Sequence, residues 1–372
     1  KAVVDAFNNS RKLDYNLFNA QQARSILDIL IGFEISPLLW KSIQPKLSAG
    51  RCQSPALKLI YERDKLIDDF TLNKTYSLIG DFIISQNNIE AEYHKNIDNK
   101  EVIKELLPKI VNDTYKLDFT NPKKVTHSAP PPFTTSTIQQ EASSRFSLSP
   151  KLTMSILQQL YEKGKITYMR TDSVAISNVF IDQIKQYCDN NSLGDYFKQT
   201  FYKNKTSNSQ EAHECIRPVN IDFLPDQLSG REHDLYKIIR NRTIMSQLKK
   251  YREDEYNYKL VSTTDSDRIF KFTLHKITDI GFKIISEPNK KDDKELISTI
   301  DQTQTYTPTK IIAKEKHSKP KPRYTEAMLV KELEDKGIGR PSTFSSLVSK
   351  VLERKYVNKA TSHNYKDINL EC

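Results

Sequence analysis

Cysteine is scarce in this sequence of 372 residues: Cys52, Cys188, Cys215 and Cys372 lie far apart, and none forms a C-x-x-C pair. That spacing suggests neither a disulfide framework nor a zinc site, and it makes a reducing compartment, the cytoplasm, the default expectation. Long apolar runs are missing too. The stretch Ile26 to Ile35 is broken by Asp28 and Glu34, and a membrane-spanning helix needs about 18 or more apolar residues, so no membrane partner is expected. The opening Lys1-Ala2-Val3-Val4-Asp5 lacks the layout of a signal peptide. No internal repeat is visible, and tryptophan occurs once, at Trp40.

Positive charge is present in excess. The formal net charge is +10, with 28% charged and 37% hydrophobic residues. Such a surplus suits a polyanion, because each Lys or Arg set against a phosphate releases condensed counterions. A Lys-rich solvated surface with no particular target gives the same number, so charge alone leaves both readings open. The length allows two or three domains, each with a core of its own.

Helix-like and strand-like blocks alternate along the chain. Leu17, Ala20, Ala23, Leu27 and Leu30 recur at spacings of three and four, as do Leu57, Ile60, Tyr61 and Ile67, which predicts helices over 12–69. Tyr76, Leu78, Gly80 and Phe82 alternate, and a charged helical segment is expected over 100–110. Ser128-Ala129-Pro130-Pro131-Pro132-Phe133 is too proline-dense for helix or central strand and reads as a stiff connector. Helices resume over 134–250, with Ser149-Pro150 starting one and Lys163-Gly164 ending it. Strands return over 251–312, and two helices are expected in 325–354. The order helix, sheet, helix, sheet, helix implies nested domains, in which the chain leaves a helical body through a β region and returns.

Chemistry concentrates in Gly164-Lys165-Ile166-Thr167-Tyr168-Met169-Arg170-Thr171-Asp172-Ser173. A short strand after Gly164 would put Tyr168 and Arg170 on one face. A tyrosine beside an arginine suits covalent phosphoryl transfer, the phenolate attacking phosphorus while the guanidinium holds non-bridging oxygens. One of 18 tyrosines half-buried on a strand is the competing reading, and the pair alone does not decide.

The context of that pair is recognisable. Lys165 to Ser173 closely resembles the active-site segment of type IA DNA topoisomerases, in their bacterial topoisomerase I form. Pro131 to Ala142 is similar to the family's entry into its tyrosine-bearing domain, and Ala212-His213-Glu214-Cys215-Ile216-Arg217-Pro218 to its histidine motif. Asn19 to Arg24 and Leu47 to Ser54 resemble segments lining its single-strand groove, and Gly337 to Phe344 completes the ordered set. A tyrosine recombinase or type IB enzyme fits less well, because it needs its arginines and histidine upstream of the tyrosine, whereas His213 and Arg217 follow Tyr168.

The resemblance implies that Tyr168 forms a 5'-phosphotyrosyl bond and Arg170 clamps the scissile phosphate. His213 would position DNA near the tyrosine and could relay a proton, and Arg217 would contact a phosphate. Arg24, Asp28 and Trp40 match groove-lining positions, where an indole can stack on an unpaired base, although a core role for Trp40 is as good a reading. Ser48, Arg51, Gln53 and Ser54, and likewise Arg340, Ser342 and Thr343, surround expected helix N-termini, where amides and the dipole favour a phosphate. Simple helix capping would use the same residues.

The implied fold is α+β and multidomain, a torus with three parts. A helical groove domain spans 1–69 plus 285–372, a β arch 70–127 plus 254–284, and a winged-helix-like tyrosine domain 128–253. Its activity would be relaxation of negatively supercoiled DNA without ATP, with single-stranded DNA as the bound form. The alternatives are an isolated DNA-binding fragment and a topoisomerase III-type decatenase. Family members begin with a Toprim domain whose carboxylates hold magnesium; residue 1 already falls close to the Gln-Gln-Ala-Arg helix, so a fragment is expected, with that domain as its missing partner. Asp265-Ser266-Asp267 sits in a polar turn and is read as a solvated loop. No metal ligand is assigned to this chain, and no zinc.

Overall fold

The computed structural model describes residues 2–9, 12–203, 213–287 and 292–359. In chain order come α1 (Ala2–Asn8), α2 (Tyr15–Ser42), α3 (Gln53–Asp68), β1 (Lys74–Ile84), β2 (Asn87–Tyr93), α4 (Lys100–Val111), β3 (Tyr115–Phe119) and β4 (Lys123–His127). Next are α5 (Thr135–Phe146), α6 (Pro150–Glu162), α7 (Asn178–Asn190), α8 (Gly230–Met245), β5 (Tyr251–Ser262) and β6 (Ile269–Asp279). The chain closes with α9 (Lys283–Ser286), α10 (Lys294–Thr299), β7 (Thr305–Tyr306), β8 (Pro308–His317), α11 (Glu326–Asp335) and α12 (Phe344–Glu353). The expected order of helical and strand blocks is therefore present. The chain divides into two compact units, one of Lys1–Asp64 with Tyr324–Ala360, the other containing Lys65–Arg323.

In the first unit, α2 starts where the Asp14 carboxylate accepts the amides of Asn16 and Leu17 at 3.0 and 3.1 Å, a side-chain cap on two otherwise orphaned donors. The three-and-four spacing specified this helix correctly, yet Leu17, Leu27 and Leu30 are exposed, and Ser36 is the buried residue recorded along it. The unit's core lies instead where Ala56 of α3 meets Leu329, Val330 and Leu333 of α11 and Phe344, Leu347 and Val348 of α12. Arg63 lies 4.0 Å over the ring of Tyr324, which packs against that core.

The second unit is built on an antiparallel sheet in the order β7-β3-β5-β6-β2-β1-β8, with β4 also paired to β5. Its core follows from alternation: Leu78, Phe82 and Ile84 on β1, Tyr115 and Leu117 on β3, and Phe270, Phe272 and Leu274 on β6 point to one side. Phe82, Tyr115 and Phe270 meet edge to face with centroids 5.4 to 5.6 Å apart, the arrangement that ring quadrupoles favour. Gly80 keeps this packing possible, since a Cβ there would lie 2.8 Å from the Phe82 ring and 3.0 Å from Ile311. The sequence reading attached 285–372 to the helical body. In the structure β8 pairs along β1, and Leu296, Ile297, Ile300 and Ile311 pack on the sheet core, so the stretch up to Arg323 belongs with the sheet unit. Residues 288–291 and 360–372 of that span lie outside the described residues.

The tyrosine-bearing helices complete the second unit. Ser149 caps α6 by accepting the Leu152 amide at 3.3 Å, with Pro150 in its first turn. Gly164 ends that region at φ 65°, a left-handed geometry that glycine adopts without strain. Leu157, Leu160, Ile166, Met169 and Ile216 pack with Leu235, Tyr236 and Ile239 of α8. A second cluster joins α7 to the end of the sheet through Ile184, Cys188, Tyr251 and Phe282. The proline-dense connector after β4 carries no regular structure until Phe133.

At the open end of the β1–β8 pair, Glu315 takes hydrogen bonds from His317 at 2.6 Å, Tyr76 at 3.1 Å and Lys74 at 3.3 Å. The bond from His317, then those from Lys74 and Tyr76, hold its carboxyl below the ordinary glutamate value of 4.5 against the opposing effect of burial. A carboxyl with a depressed folded pKa stabilises the fold above its unfolded pKa and loses that contribution as pH falls through the folded one. Glu315→Gln is therefore expected to lower the urea midpoint at pH 7, with the gap to wild type closing as the pH is taken below 4.5. Parallel curves at every pH would show that the carboxylate contributes nothing.

Candidate active site

The segment carrying Tyr168 is not the regular strand that the sequence suggested. Its only ladder contact among the described residues is a single bridge, Ile166 to Pro218. The rest of its backbone is held by discrete hydrogen bonds. The Thr167 amide donates to the Arg217 carbonyl at 2.9 Å, and the Val219 amide donates to Lys165 at 3.0 Å. The Thr167 hydroxyl donates to the Cys215 carbonyl at 2.6 Å and accepts the Arg217 amide at 3.0 Å. Further on, the Cys215 amide reaches Ala175 at 2.9 Å and the Ile216 amide reaches Phe133 at 2.8 Å. Three separate stretches of sequence, around 133, 165–175 and 213–219, are thereby zipped together.

The outcome is a fixed presentation of side chains. Met169 is buried at 1% exposure while Tyr168, on one side of it, keeps 37%, and Arg170 on the other side is exposed. The His213 ring lies 5.8 Å from the Tyr168 ring, tilted by 39°. Tyr161, at the end of α6, meets Tyr168 edge-on at 5.4 Å. Tyr161 was not singled out from the sequence; only its position one turn before Gly164 could have suggested it. Ala212, at the start of the histidine motif, lies outside the described residues.

The two arginines of this region differ sharply in their surroundings. Arg170 has no ion-pair partner among the described residues. Arg217 is engaged at both terminal nitrogens and over its face, while its Nε is buried without an acceptor: it pairs with Glu214, donates to the Pro218 carbonyl at 2.9 Å, and lies 4.0 Å over the Phe180 ring. Glu214 in turn accepts the Ser177 amide at 3.0 Å. An anion approaching Arg217 would have to compete with Glu214, whereas one approaching Arg170 would not. Cys215 is fully buried, and burial pushes its thiol up to about 12. Asp265 and Asp267 sit in a turn, Asp265 pairing with Arg268 at 3.2 Å.

In the helical unit, the residues singled out between 24 and 54 gather around the loop before α3. Arg51 binds Asp28 through two bonds, 2.7 and 3.2 Å, and this bond, with the Arg51 and Arg24 charges, keeps the Asp28 carboxyl below its ordinary range. The Trp40 indole donates to Leu47 at 2.6 Å. Gln53 donates to the Ser48 carbonyl at 2.7 Å, the Gly50 amide to Ser54 at 3.1 Å, and the Ala49 amide to Ser36 at 3.1 Å. Ser48 is also held by Tyr356 through its amide at 2.8 Å. Several loop amides that the sequence reading left free are thus occupied by hydroxyls. Those of Arg51, Cys52 and Gln53 have no acceptor among the described residues. Ile29, Phe33, Pro37, Trp40 and Leu47 line a cavity of about 520 Å³ beside this loop.

Near the other end of the unit, α12 starts at Phe344, and Pro341 to Thr343 form a turn before it. Pro341, a residue type suited to a first helical turn, therefore lies before the helix and outside its first turn. The reason is local: the Thr343 hydroxyl accepts the Arg340 amide at 2.9 Å and donates to the Arg340 carbonyl at 3.0 Å, closing the turn on itself. Ser342 remains exposed. Gly339 has φ 84°, and a Cβ there would sit 3.0 Å from Leu347.

A family model described as DNA topoisomerase matches residues 12–368 of the sequence. The chain is 37% identical to DNA topoisomerase 1 of Rickettsia bellii (strain RML369-C), covering 96% of this chain and 48% of that protein. It is 39% identical to DNA topoisomerase 1 of Rickettsia prowazekii (strain Madrid E), covering 96% and 50%. A viral relative, DNA topoisomerase 1 type prokaryotic of Acanthamoeba polyphaga mimivirus, is 36% identical over 96% of this chain and 46% of its own. Among solved structures, full-length topoisomerase I from Thermotoga maritima superposes with TM-score 0.78 at 32% identity, over 96% of this chain and 60% of that one. The chain spans about half the length of the curated relatives it matches.

Burial sorts the thiols. Cys188 and Cys215 are fully buried with raised thiols, and Cys52 is partly exposed. Because the thiolate is the reactive form, native iodoacetamide labelling at pH 8 is expected to mark Cys52 and to leave Cys188 and Cys215 until the protein is unfolded. Rapid native labelling of Cys215 would show that the joint between the tyrosine and histidine segments opens.

Proposed function

The chain belongs to the type IA DNA topoisomerase family, and on that premise we propose that it is the strand-cleaving body of such an enzyme. Its substrate is single-stranded DNA, including the unpaired stretches of negatively supercoiled DNA. The observation that carries this reading is the exposed Tyr168, with His213 against its ring and the unpaired Arg170 two residues on. A merely structural tyrosine would be expected to bury its ring and its neighbouring charge; this one presents both.

In the proposed reaction the Tyr168 oxygen bonds to phosphorus as the bond to the 3'-oxygen breaks. The phenol gives up its proton and the departing 3'-oxygen gains one. The adduct is a 5'-phosphotyrosine, which keeps the phosphodiester energy so that resealing by the reverse reaction needs no ATP. Arg170 sits where charge develops on the non-bridging oxygens, and Arg is the better residue for that planar, two-point contact. His213 orients the nucleophile and can pass a proton.

The helix-start loop with Ser48, Arg51, Gln53 and Ser54 and the turn with Arg340, Ser342 and Thr343 are proposed as backbone-phosphate contacts. Arg24 would add charge, and Trp40 a stacking surface, with Asp28 orienting Arg51. We retain three parts, groove domain, β arch and tyrosine domain, as part of the proposal, with 285–323 moved to the arch and with motion near 128 and near 253, close to the start of β5. A cytoplasmic location is proposed as well; no helix of the described residues is long and apolar enough to cross a membrane.

Magnesium, in this family, would be held by the carboxylates of a Toprim domain, which we propose as the partner of this chain. Among the described residues no three metal-ligating side chains converge, so the residues present do not fit the ion. The steps above therefore rest on the chain's own side chains.

The deciding experiment incubates the chain with a 3'-labelled single-stranded oligonucleotide and magnesium, with and without a purified Toprim domain from a relative, followed by denaturant. Label retained on wild-type protein and none on Tyr168→Phe, at equal DNA affinity, is the expected result; equal retention by both would remove Tyr168 from the chemistry. Binding with no covalent product under either condition favours a DNA-binding fragment instead. The arginines separate in a salt titration. Arg170→Gln is expected to reduce the slope of log affinity against log salt by about 0.7, one phosphate contact on a single strand. Arg217→Gln should leave that slope unchanged.

A further inference from the structure

We propose that Thr135 is a positioning residue for the nucleophile, setting the backbone on both sides of Arg170 and thereby the relation of Arg170 to Tyr168. The proposal rests on the reading of Tyr168 as the nucleophile and adds a residue that acts on it through the backbone, without touching DNA.

The argument begins with the missing ladder. Beyond the single bridge at Ile166, the stretch Met169-Arg170-Thr171 runs as irregular chain, with Met169 and Thr171 at 1% exposure. Peptide groups buried in such a stretch have neither water nor a neighbouring strand to bond, yet they must be satisfied. One side chain does this. The Thr135 hydroxyl donates to the Met169 carbonyl at 2.7 Å, lies 3.0 Å from the Thr171 carbonyl, and accepts the Thr171 amide at 2.8 Å. The Thr135 amide donates to the Thr171 carbonyl at 2.9 Å. The two peptides flanking Arg170 are therefore both tied to one residue.

Thr135 is itself held rigidly. It is fully buried at the first position of α5, whose start is fixed by a reciprocal cap: the Thr137 hydroxyl accepts the Thr134 amide at 2.8 Å, and the Thr134 hydroxyl accepts the Thr137 amide at 3.3 Å. A first-turn threonine usually serves its own helix. Here the hydroxyl points away from its helix to atoms 34 and 36 residues later in the chain. The Thr171 hydroxyl extends the arrangement by accepting the Ser173 amide at 3.0 Å. On the opposite side of the tyrosine, the Thr167 hydroxyl makes the corresponding contact with the histidine segment. Tyr168 is thus carried between two threonine anchors, of which Thr135 bonds the peptides on either side of Arg170.

The test uses Thr135→Val, which keeps the branched shape and removes the hydroxyl, and Thr135→Ser, which keeps the hydroxyl. Each is compared with wild type and Tyr168→Phe for adduct formation on the single-stranded oligonucleotide with the Toprim domain supplied, for DNA affinity, and for hydrogen exchange at the Thr171 amide. Thr135→Val is expected to slow adduct formation about 10- to 100-fold, the effect of a reacting group displaced by around an ångström, with DNA affinity unchanged and the Thr171 amide exchanging faster. Thr135→Ser is expected to restore both the rate and the protection. Wild-type cleavage by Thr135→Val, a slow Thr135→Val with Thr171 still protected, or a serine variant as slow as the valine one would each overturn the proposal. Should wild type itself form no adduct, the reading of Tyr168 fails separately, and the Thr171 exchange still decides whether Thr135 positions this segment.

Discussion

A buried stretch of chain that has no strand beside it must find partners for every peptide group, and this requirement organises the region around Tyr168. The stretch from 165 to 175 lies among the side chains of a hydrophobic cluster, where an unmet N–H or C=O costs on the order of 1–3 kcal/mol. Its partners come from the 213–219 segment, from the Thr135 amide and from threonine hydroxyls. Because those partners are fixed points, the side chains that face outward are fixed too. Met169 goes in, and Tyr168 and Arg170 come out.

The same constraint explains why two arginines of one region play different parts. Arg217 is mostly buried, and a buried guanidinium is tolerated only with a counter-charge and acceptors; Glu214, the Pro218 carbonyl and the Phe180 ring supply them. That arrangement stiffens the histidine segment and leaves little for a ligand. Arg170 has water where Arg217 has protein. Charge alone would have scored the two alike, and what separates them is whether the surrounding backbone needed the guanidinium for itself.

Much of the fold was legible because its signals are local. The capped start at Ser149-Pro150, the glycine stop at Gly164, the alternation along β1 and the charged helix α4 are each written within a few residues. The strand β8 was harder to place, because lysines at 310, 314 and 316 mask its alternation and its pairing with β1 joins positions more than two hundred residues apart. The spacing in α2 named a helix but could not say that Leu27 and Leu30 would stay exposed within this chain. Tyr168, Arg170 and His213 were found from motif order. The occupation of Arg217 and the reach of Thr135 were not, since neither a pairing three residues along nor a hydroxyl aimed at another segment leaves a periodic trace.

The chain has only 9 glycines, yet its candidate sites are largely irregular backbone, and hydroxyl side chains reconcile the two facts. Of the six described non-glycine residues at positive φ, Ser85, Ser147 and Ser192 are serines, a backbone state that most side chains resist. Thr135 and Thr167 hold the tyrosine segment, Ser36, Ser48 and Ser54 the loop before α3, where the Ser48 hydroxyl accepts from Gln53 at 2.8 Å, and Thr343 the turn before α12. A short hydroxyl has few rotamers to lose, so fixing it costs little entropy compared with Lys, Arg or Gln, and it can donate and accept at once. Glycine would permit the same paths while leaving them loose. Serine and threonine permit them and bond them in place, which suits sites where a side chain must be presented to a ligand at a defined angle, and where the long cationic side chains are better left free of structural duty.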